Sequence, residues 1–247
     1  MTDDGQQRGP AGRVFVIWFG GPLSATRAAS LDAIRRNVGV PVELVAERNL
    51  GDWIVDNAPL HSSFGSLSAI HKSDYLRCYL MHHHGGGYVD LKPLEADWRP
   101  AFDRLAADPA LLAVGYAEVG PGSVATFGVE RLPPPRPLYA AWWRYRRLQL
   151  NFRRLIGTCG FVMRPGTPFT AAWWAGVNRR LEGFAPALAT HPAAHPRDHA
   201  GFMIDGRPSG YPIHWTALLA DILQPLVLAH RRRIATTLPP PTFVGYR

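Results

Sequence analysis

The apolar positions of this chain first gather into one run, "RVFVIWF" at 13–19, closed by "GGP". A continuous apolar run of strand length predicts a strand buried on both faces, as in a parallel sheet. The pattern then changes to helical spacing. Ala28, Leu31, Ile34 and Val38 recur three or four apart in "SATRAASLDAIRRNVG", with Ser24 placed to cap the helix. "PVELVAE" at 41–47 is a second strand, so the chain opens strand–helix–strand. Such a unit predicts parallel pairing and a ligand site at the carboxyl ends of the strands, which puts "WFGGP" at its mouth.

A long helix follows over 66–84, "SLSAIHKSDYLRCYLMHHHG", with Leu67, Ile70, Leu76, Cys78, Leu80 and Met81 as a broad core-facing stripe. Gly85 to Gly87 end it, because glycine accepts the left-handed terminating conformation. "YVDLKP" reads as a short strand stopped by Pro93. Further on, the pattern predicts a helix over 99–107, a strand over 110–118, a loop-rich connection over 119–137, and an amphipathic helix, or helix plus turn, over 138–156. "GTCGFVMRPGTPFTAAWWAGVNRRLEGF" reads as strand, turn and a helix with Thr170 near its start. Residues 191–212 form a Pro- and Gly-rich loop, and a last helix spans 214–229. With no internal repeat and no linker between cores, the expectation is one α/β domain over 13–230. Its sheet is Rossmann-like and mostly parallel, flanked by helices. A disordered lead covers 1–12, and a tail over 231–247 is placed to drape over the site.

Composition narrows the class. Hydrophobic residues at 47% and charged residues at 19% suit a folded soluble chain rather than a disordered one. No apolar run approaches the ~18 residues of a membrane span. The start "MTDDGQQRGPAG" lacks the basic-then-apolar order of a signal peptide. Cys78 and Cys159 have no metal spacing and read as reduced core thiols. Together these point to the cytoplasm. The net charge of +8 raises nucleic acid and membrane surfaces as partners. Yet 25 of the 27 basic residues are Arg, beside abundant Ala, Gly and Pro, the profile of a GC-rich coding sequence. The arginines come as scattered pairs at 35, 146, 153 and 179 and a triplet at 231–233, not as a stripe interleaved with exposed aromatics. Nucleic-acid binding is therefore not expected. Against this background the two lysines, Lys72 and Lys92, stand out, both in one short region.

Asp74 and Arg77 lie three apart and share a helix face. Alone, that spacing describes a surface ion pair worth about 0.2–1 kcal/mol. The sequel changes the weighting. The helix stops in glycines, and a short strand delivers Asp90 and Lys92 on one face with Val89 and Leu91 on the other. Four charged side chains then converge on one cleft.

"SDYLRCYLMHHHGGGYVDLKP" resembles the sugar-binding region of the DXD glycosyltransferases related to family 32. Their pattern is Ser-Asp-x-x-Arg, a helix, Gly-Gly-x-Tyr, then Asp-x-Asp. Similar bacterial proteins are capsular polysaccharide or mannosyl-type transferases, active in polysaccharide biosynthesis. The likeness extends to "VIWFGG" and "YPIHWTALLADILQP", while 119–155 lies outside it. It implies a GT-A fold, a UDP- or GDP-sugar donor, and retaining transfer of a hexose-type unit to a hydroxyl. Ser73, Asp74 and Arg77 match the residues that hold the donor sugar and diphosphate, with Gly86, Gly87 and Tyr88 beside them. Asp90 matches the first motif carboxylate, which contacts ribose, sugar or metal. The resemblance further implies that Trp18, Phe19 and Gly20 line a base and ribose pocket and that His214 and Trp215 sit near the diphosphate.

Lys92 departs from the pattern. The second carboxylate of such a motif coordinates Mn²⁺ or Mg²⁺, whereas an ammonium repels a cation. The same charge set against a diphosphate can stabilise the leaving group directly. Three alternatives stand: Lys92, helped by Arg77, replaces the metal; the metal is retained through Asp90 and other groups; or the site binds without reacting. Elsewhere, "HHH" at 82–84 cannot converge on one ion, since neighbours on a helix point about 100° apart. It reads as a helix terminus suited to partly cationic imidazoles. His191, His195 and His199 are interrupted by prolines and read as a loop over the acceptor site. The Trp pairs at 142 and 173 read as helix-to-sheet packing. Glu118, Asp198 and Asp205 are the other acids that loops could bring to the cleft. The triplet at 231–233 hints at peripheral contact with an anionic membrane.

Overall fold

A computed structural model describes residues 12–129 and 140–243. The expected lead falls outside these residues except for Gly12, as do 130–137 of the expected loop. The first strand, β1 (Val14–Ile17), is buried throughout and continues into helix α1 (Ala25–Asn37) and strand β2 (Val42–Val45). Ser24 caps α1 by accepting from the Arg27 amide. Helix α2 (Ala69–His83) leads into β3 (Gly86–Val89), helix α3 (Arg99–Ala107) and β4 (Ala113–Ala117). Then come α4 (Ala140–Leu150), β5 (Ile156–Met163), α5 (Pro168–Thr190), a small hairpin of β6 (Met203–Ile204) and β7 (Arg207–Pro208), α6 (Ala220–Ala229) and β8 (Ile234–Ala235).

Six strands form one sheet in the order β2-β1-β3-β5-β4-β8. Every neighbouring pair is parallel except those made by β5, which runs antiparallel to both β3 and β4. The sheet is thus mostly parallel with helices on both faces, compatible with a Rossmann-like arrangement. Alternation along β1 divides the core. Phe15 and Ile17 pack with α2, α5 and α6, whereas Val14 and Val16 pack with α1 and α3.

Several expectations need correction. The strand expected over 88–93 is shorter and starts earlier: sheet pairing runs from Gly86 and ends at Val89. The last ladder bond runs from the Asp90 amide to the Cys159 carbonyl, and the Lys92 amide then turns back to the Asp90 carbonyl. Gly86 and Gly87 belong to the strand, with Gly86 still at φ 93°, and Gly85 ends α2 at φ 65°, its amide donating to the Leu80 carbonyl. The last helix starts at Ala220 rather than 214, because residues 214–219 form separate turns. The sheet also runs past the expected boundary at 230. Ile234 and Ala235 pair beside β4 and form its edge.

The order places a topological switch between β1 and β3. From β1 the chain moves outward to β2, and from β3 it moves the opposite way, towards β4. Open α/β sheets bind ligands in the crevice outside the carboxyl ends of such neighbours. Trp18 and Asp90 follow directly on those two ends.

Candidate functional site

Helix α2 brings Asp74 and Arg77 to this crevice, and its placement follows from packing. The stripe Leu76, Leu80 and Met81 is wholly buried against the sheet, and Ser68 caps the first turn. The Asp74–Arg77 pair is therefore not a surface pair. Both residues are buried, with Nη2 of Arg77 3.3 Å from Oδ1 of Asp74. The same nitrogen donates to Ser73 Oγ at 3.2 Å and stands 3.7 Å from Oδ1 of Asp90, while Nη1 donates to the Thr158 carbonyl. The guanidinium lies over the Tyr88 ring, 4.5 Å from its centroid. The Tyr88 hydroxyl donates to Oδ1 of Asp90 at 2.7 Å. Lys92 completes the cluster with Nζ 3.1 Å from Oδ2 of Asp90 and 3.1 Å from the Cys159 sulfur. Ser73, Asp74, Arg77, Tyr88, Asp90 and Lys92 are thus brought together. The turn at Asp90–Lys92 joins the last two, rather than strand alternation.

Burial and charge compete in this cluster. Burial pushes Asp74 up from 3.8 to about 7, and the Arg77 guanidinium only partly offsets it. Burial would raise Asp90 too, but Arg77 and Lys92 together hold its carboxyl below the usual value. Burial alone would lower Lys92; contact with Asp90 and Cys159 reverses that and raises it. Two cations thus face one carboxylate that stays ionised and one that titrates near neutrality.

A divalent cation does not fit these residues. Oδ1 of Asp90 accepts from Tyr88 and faces Arg77, and Oδ2 is paired with Lys92. Among the described residues no group of three or more His, Cys, Asp or Glu side chains could hold a metal ion. Asp90 as a metal ligand is at odds with this arrangement: both oxygens are engaged, and two cations beside them repel a third.

At the mouth of the crevice, the Trp18 indole donates to the Gly21 carbonyl, and the Arg27 guanidinium lies 5.8 Å from its ring centroid. Phe19 meets Phe64 edge-on, and Nζ of Lys72 stands 5.9 Å and 5.8 Å from their centroids. Gly20 is exposed in the turn between. His214 turns towards α6, with Nε2 3.3 Å from Asp221, while its carbonyl faces the His71 ring on α2. Trp215 is exposed and packs edge-on with His199.

Sequence reasoning missed three members of the site. Cys159 is not a plain core thiol: it touches Lys92, and burial raises it to about 11. The Tyr116 hydroxyl accepts from the Cys159 amide. Phe243 lies with its ring 4.9 Å from Nζ of Lys92, held there by the Thr242 amide donating to Pro93. Residues 242 and 243 of the expected tail therefore lie at this cluster. The three consecutive histidines diverge: His82 pairs with Thr170 and His84 with the Trp53 carbonyl. Their expected cationic character fails for two of them, since burial lowers His82 and takes His83 to about 4. His195 stacks on Phe202, and buried Asp198 accepts from the Ala194 amide and Ser209, so both hold the loop together. Glu118 is buried against Gln224, and Asp205 occupies the exposed hairpin turn at φ 49°. Trp173 packs into the core as expected, but Trp143 is exposed.

Neither a protein-family model nor a curated protein matches the chain.

Proposed function

We propose that the chain is a sugar-nucleotide-dependent glycosyltransferase of GT-A type, moving a hexose-type unit from a UDP- or GDP-sugar to a hydroxyl acceptor. The observation that carries this reading is the meeting of Ser73, Asp74, Arg77, Tyr88, Asp90 and Lys92 beside the β1/β3 switch point. In the proposed roles, Arg77 and Lys92 stabilise the negative charge that grows on the nucleoside diphosphate as the glycosidic bond breaks. Asp90 and Ser73 hold sugar or ribose hydroxyls, and Trp18 and Phe19 receive the base. Lys92 acts in place of a metal ion, from within the fold. Retention of anomeric configuration follows from the motif resemblance alone.

A sugar-nucleotide binder without turnover is the second reading. It is favoured by the cover over Lys92, whose side chain is 7% exposed beneath Phe243. The deciding experiment offers UDP-, GDP- and dTDP-sugars, each with Mn²⁺ and again with EDTA, and scores nucleoside diphosphate release and donor binding. Release from one donor that survives EDTA supports the transferase with an internal cation. Release only with Mn²⁺ keeps the enzyme and discards the role given to Lys92. Binding without release under any acceptor supports the silent binder, and absence of both overturns the reading.

A further inference from the structure

One cavity lies away from the motif cluster. It is a groove of about 660 Å³ between α4, α5 and α6. Arg144, Arg147, Arg179 and Arg180 line it over an apolar floor that includes Leu148, Ile222 and Leu226. Its one acid, Asp221, is engaged by Arg180 and His214 and accepts from the Phe127 amide. Helix α4 carries three arginines and no acidic residue.

The outer face of α4 is unusual for a helix in contact only with water. Trp143 is 57% exposed and Leu150 78% exposed. With Arg147 four residues after Trp143 and three before Leu150, the three side chains share one stripe. Arg146 flanks that stripe on one side and Arg144 on the other, at about 100° per residue. Leu148, by contrast, is buried against the body of the protein. An apolar stripe of Trp and Leu bordered by guanidinium groups is the pattern of a helix lying in a bilayer interface. There the indole sits at headgroup level and arginines meet phosphates. A second cavity, lined by Arg231, Arg232 and Arg233, meets the groove at Ala229 and sets three more arginines beside it.

We propose that this face, formed by α4 with the α4–α5–α6 groove, docks the protein on an anionic phospholipid surface. Trp143 and Leu150 enter the interface, and the groove arginines hold lipid phosphates. Nucleic acid would satisfy the arginines and its bases would stack on Trp143, but an exposed leucine beside an apolar groove floor matches acyl chains better than base faces. The inference is independent of the transferase reading, because it can be tested without any sugar donor.

The test is co-sedimentation of the full chain with vesicles of phosphatidylcholine, alone or mixed with phosphatidylglycerol, with inorganic phosphate and single-stranded RNA as competitors. Expected is binding to the mixed vesicles, weak binding to phosphatidylcholine alone, and no displacement by inorganic phosphate at matched ionic strength. Arg144→Gln with Arg147→Gln weakens binding by about thirtyfold. Trp143→Ser with Leu150→Ser gives a comparable loss. Arg35→Gln with Arg36→Gln, exposed on α1 across the sheet, changes nothing. Equal binding to both vesicle types overturns the proposal, as does an equal loss from the α1 pair. Indifference to the Trp143/Leu150 change, or displacement by phosphate or RNA, reduces the face to a general anion-binding surface and also overturns it.

Discussion

Asp74→Asn isolates the competition between burial and charge at the cluster. The Asp74 carboxyl is buried and raised from 3.8 to about 7. In the unfolded chain it ionises near pH 4, while the folded chain keeps its proton until about pH 7. Between these values the folded state holds more protons, so this group's contribution to stability falls as pH rises. At about 1.4 kcal/mol per pH unit the loss approaches 4 kcal/mol across the window. Asparagine has nearly the same shape and no charge to expose. The variant should match the wild type near pH 4 and exceed it progressively to pH 7, levelling off above. Comparison with the variant is essential, because His71 works the other way. Burial lowers His71 to about 4, so its neutral folded form adds stability as pH rises from 4 to 6.5. That contribution is common to both proteins and cancels in the difference. Asp90, held below its usual value, titrates beneath the window and cancels likewise. The measurement is urea denaturation of both proteins at half-unit steps from pH 4 to 8. A difference independent of pH would refute the reasoning, since it would mean that Arg77 keeps Asp74 ionised throughout.

Lys92→Met leaves Asp90 buried with Arg77 as its remaining cation; stability should fall by about 3 kcal/mol, and nucleoside diphosphate affinity in EDTA by tenfold or more, read by denaturation and calorimetry. Phe243→Ala uncovers Lys92, and with only two lysines in the chain, amine-labelling mass spectrometry should show faster modification at Lys92 and an unchanged rate at Lys72. Gly87→Ala places a methyl group 2.7 Å from Val14 Cγ2 in the neighbouring strand and should cost about 1–3 kcal/mol in chemical denaturation.

What could be read from the sequence was what local pattern encodes. The apolar run at Val14–Ile17, the cap at Ser24 and the helix over 99–107 appear where periodicity placed them. So does the convergence of Asp74, Arg77, Asp90 and Lys92, because helix spacing and chain proximity fix most of it. What depends on pairing between distant segments was not legible. Cys159 joins the site because β5 runs antiparallel to β3 with Val89 opposite Gly160. Two-residue β8 is too short to carry a period, yet it starts the path that brings Phe243 to Lys92. The exposed face of α4 was hidden for a different reason. Amphipathic spacing shows that one face is buried, not that a Trp and a Leu remain on the other.

The lysine in "DLK" changes what the cluster needs from its surroundings. A second carboxylate beside Asp90 would set like charges together and call for an added cation. Lys92 instead supplies the cation from the chain, so Arg77 and Lys92 face Asp90 and Asp74 with all four charges internal to the fold. With Asp74 ionised the two pairs cancel; with Asp74 protonated the cluster carries one positive charge. An anionic diphosphate should therefore bind more tightly as pH falls through about 7, while binding favours protonation of Asp74 in return. A site built on a metal behaves in the opposite way, because its ligands must lose protons to hold the ion. Binding of a UDP- or GDP-sugar, whose doubly esterified diphosphate does not titrate in this range as a terminal phosphate does, measured in EDTA from pH 6 to 8.5 separates the two designs. Affinity that rises towards low pH in the wild type, and is flat in Asp74→Asn, fits an internal cation gated by one buried carboxyl. Affinity that rises towards high pH in both proteins would return the site to metal-type electrostatics.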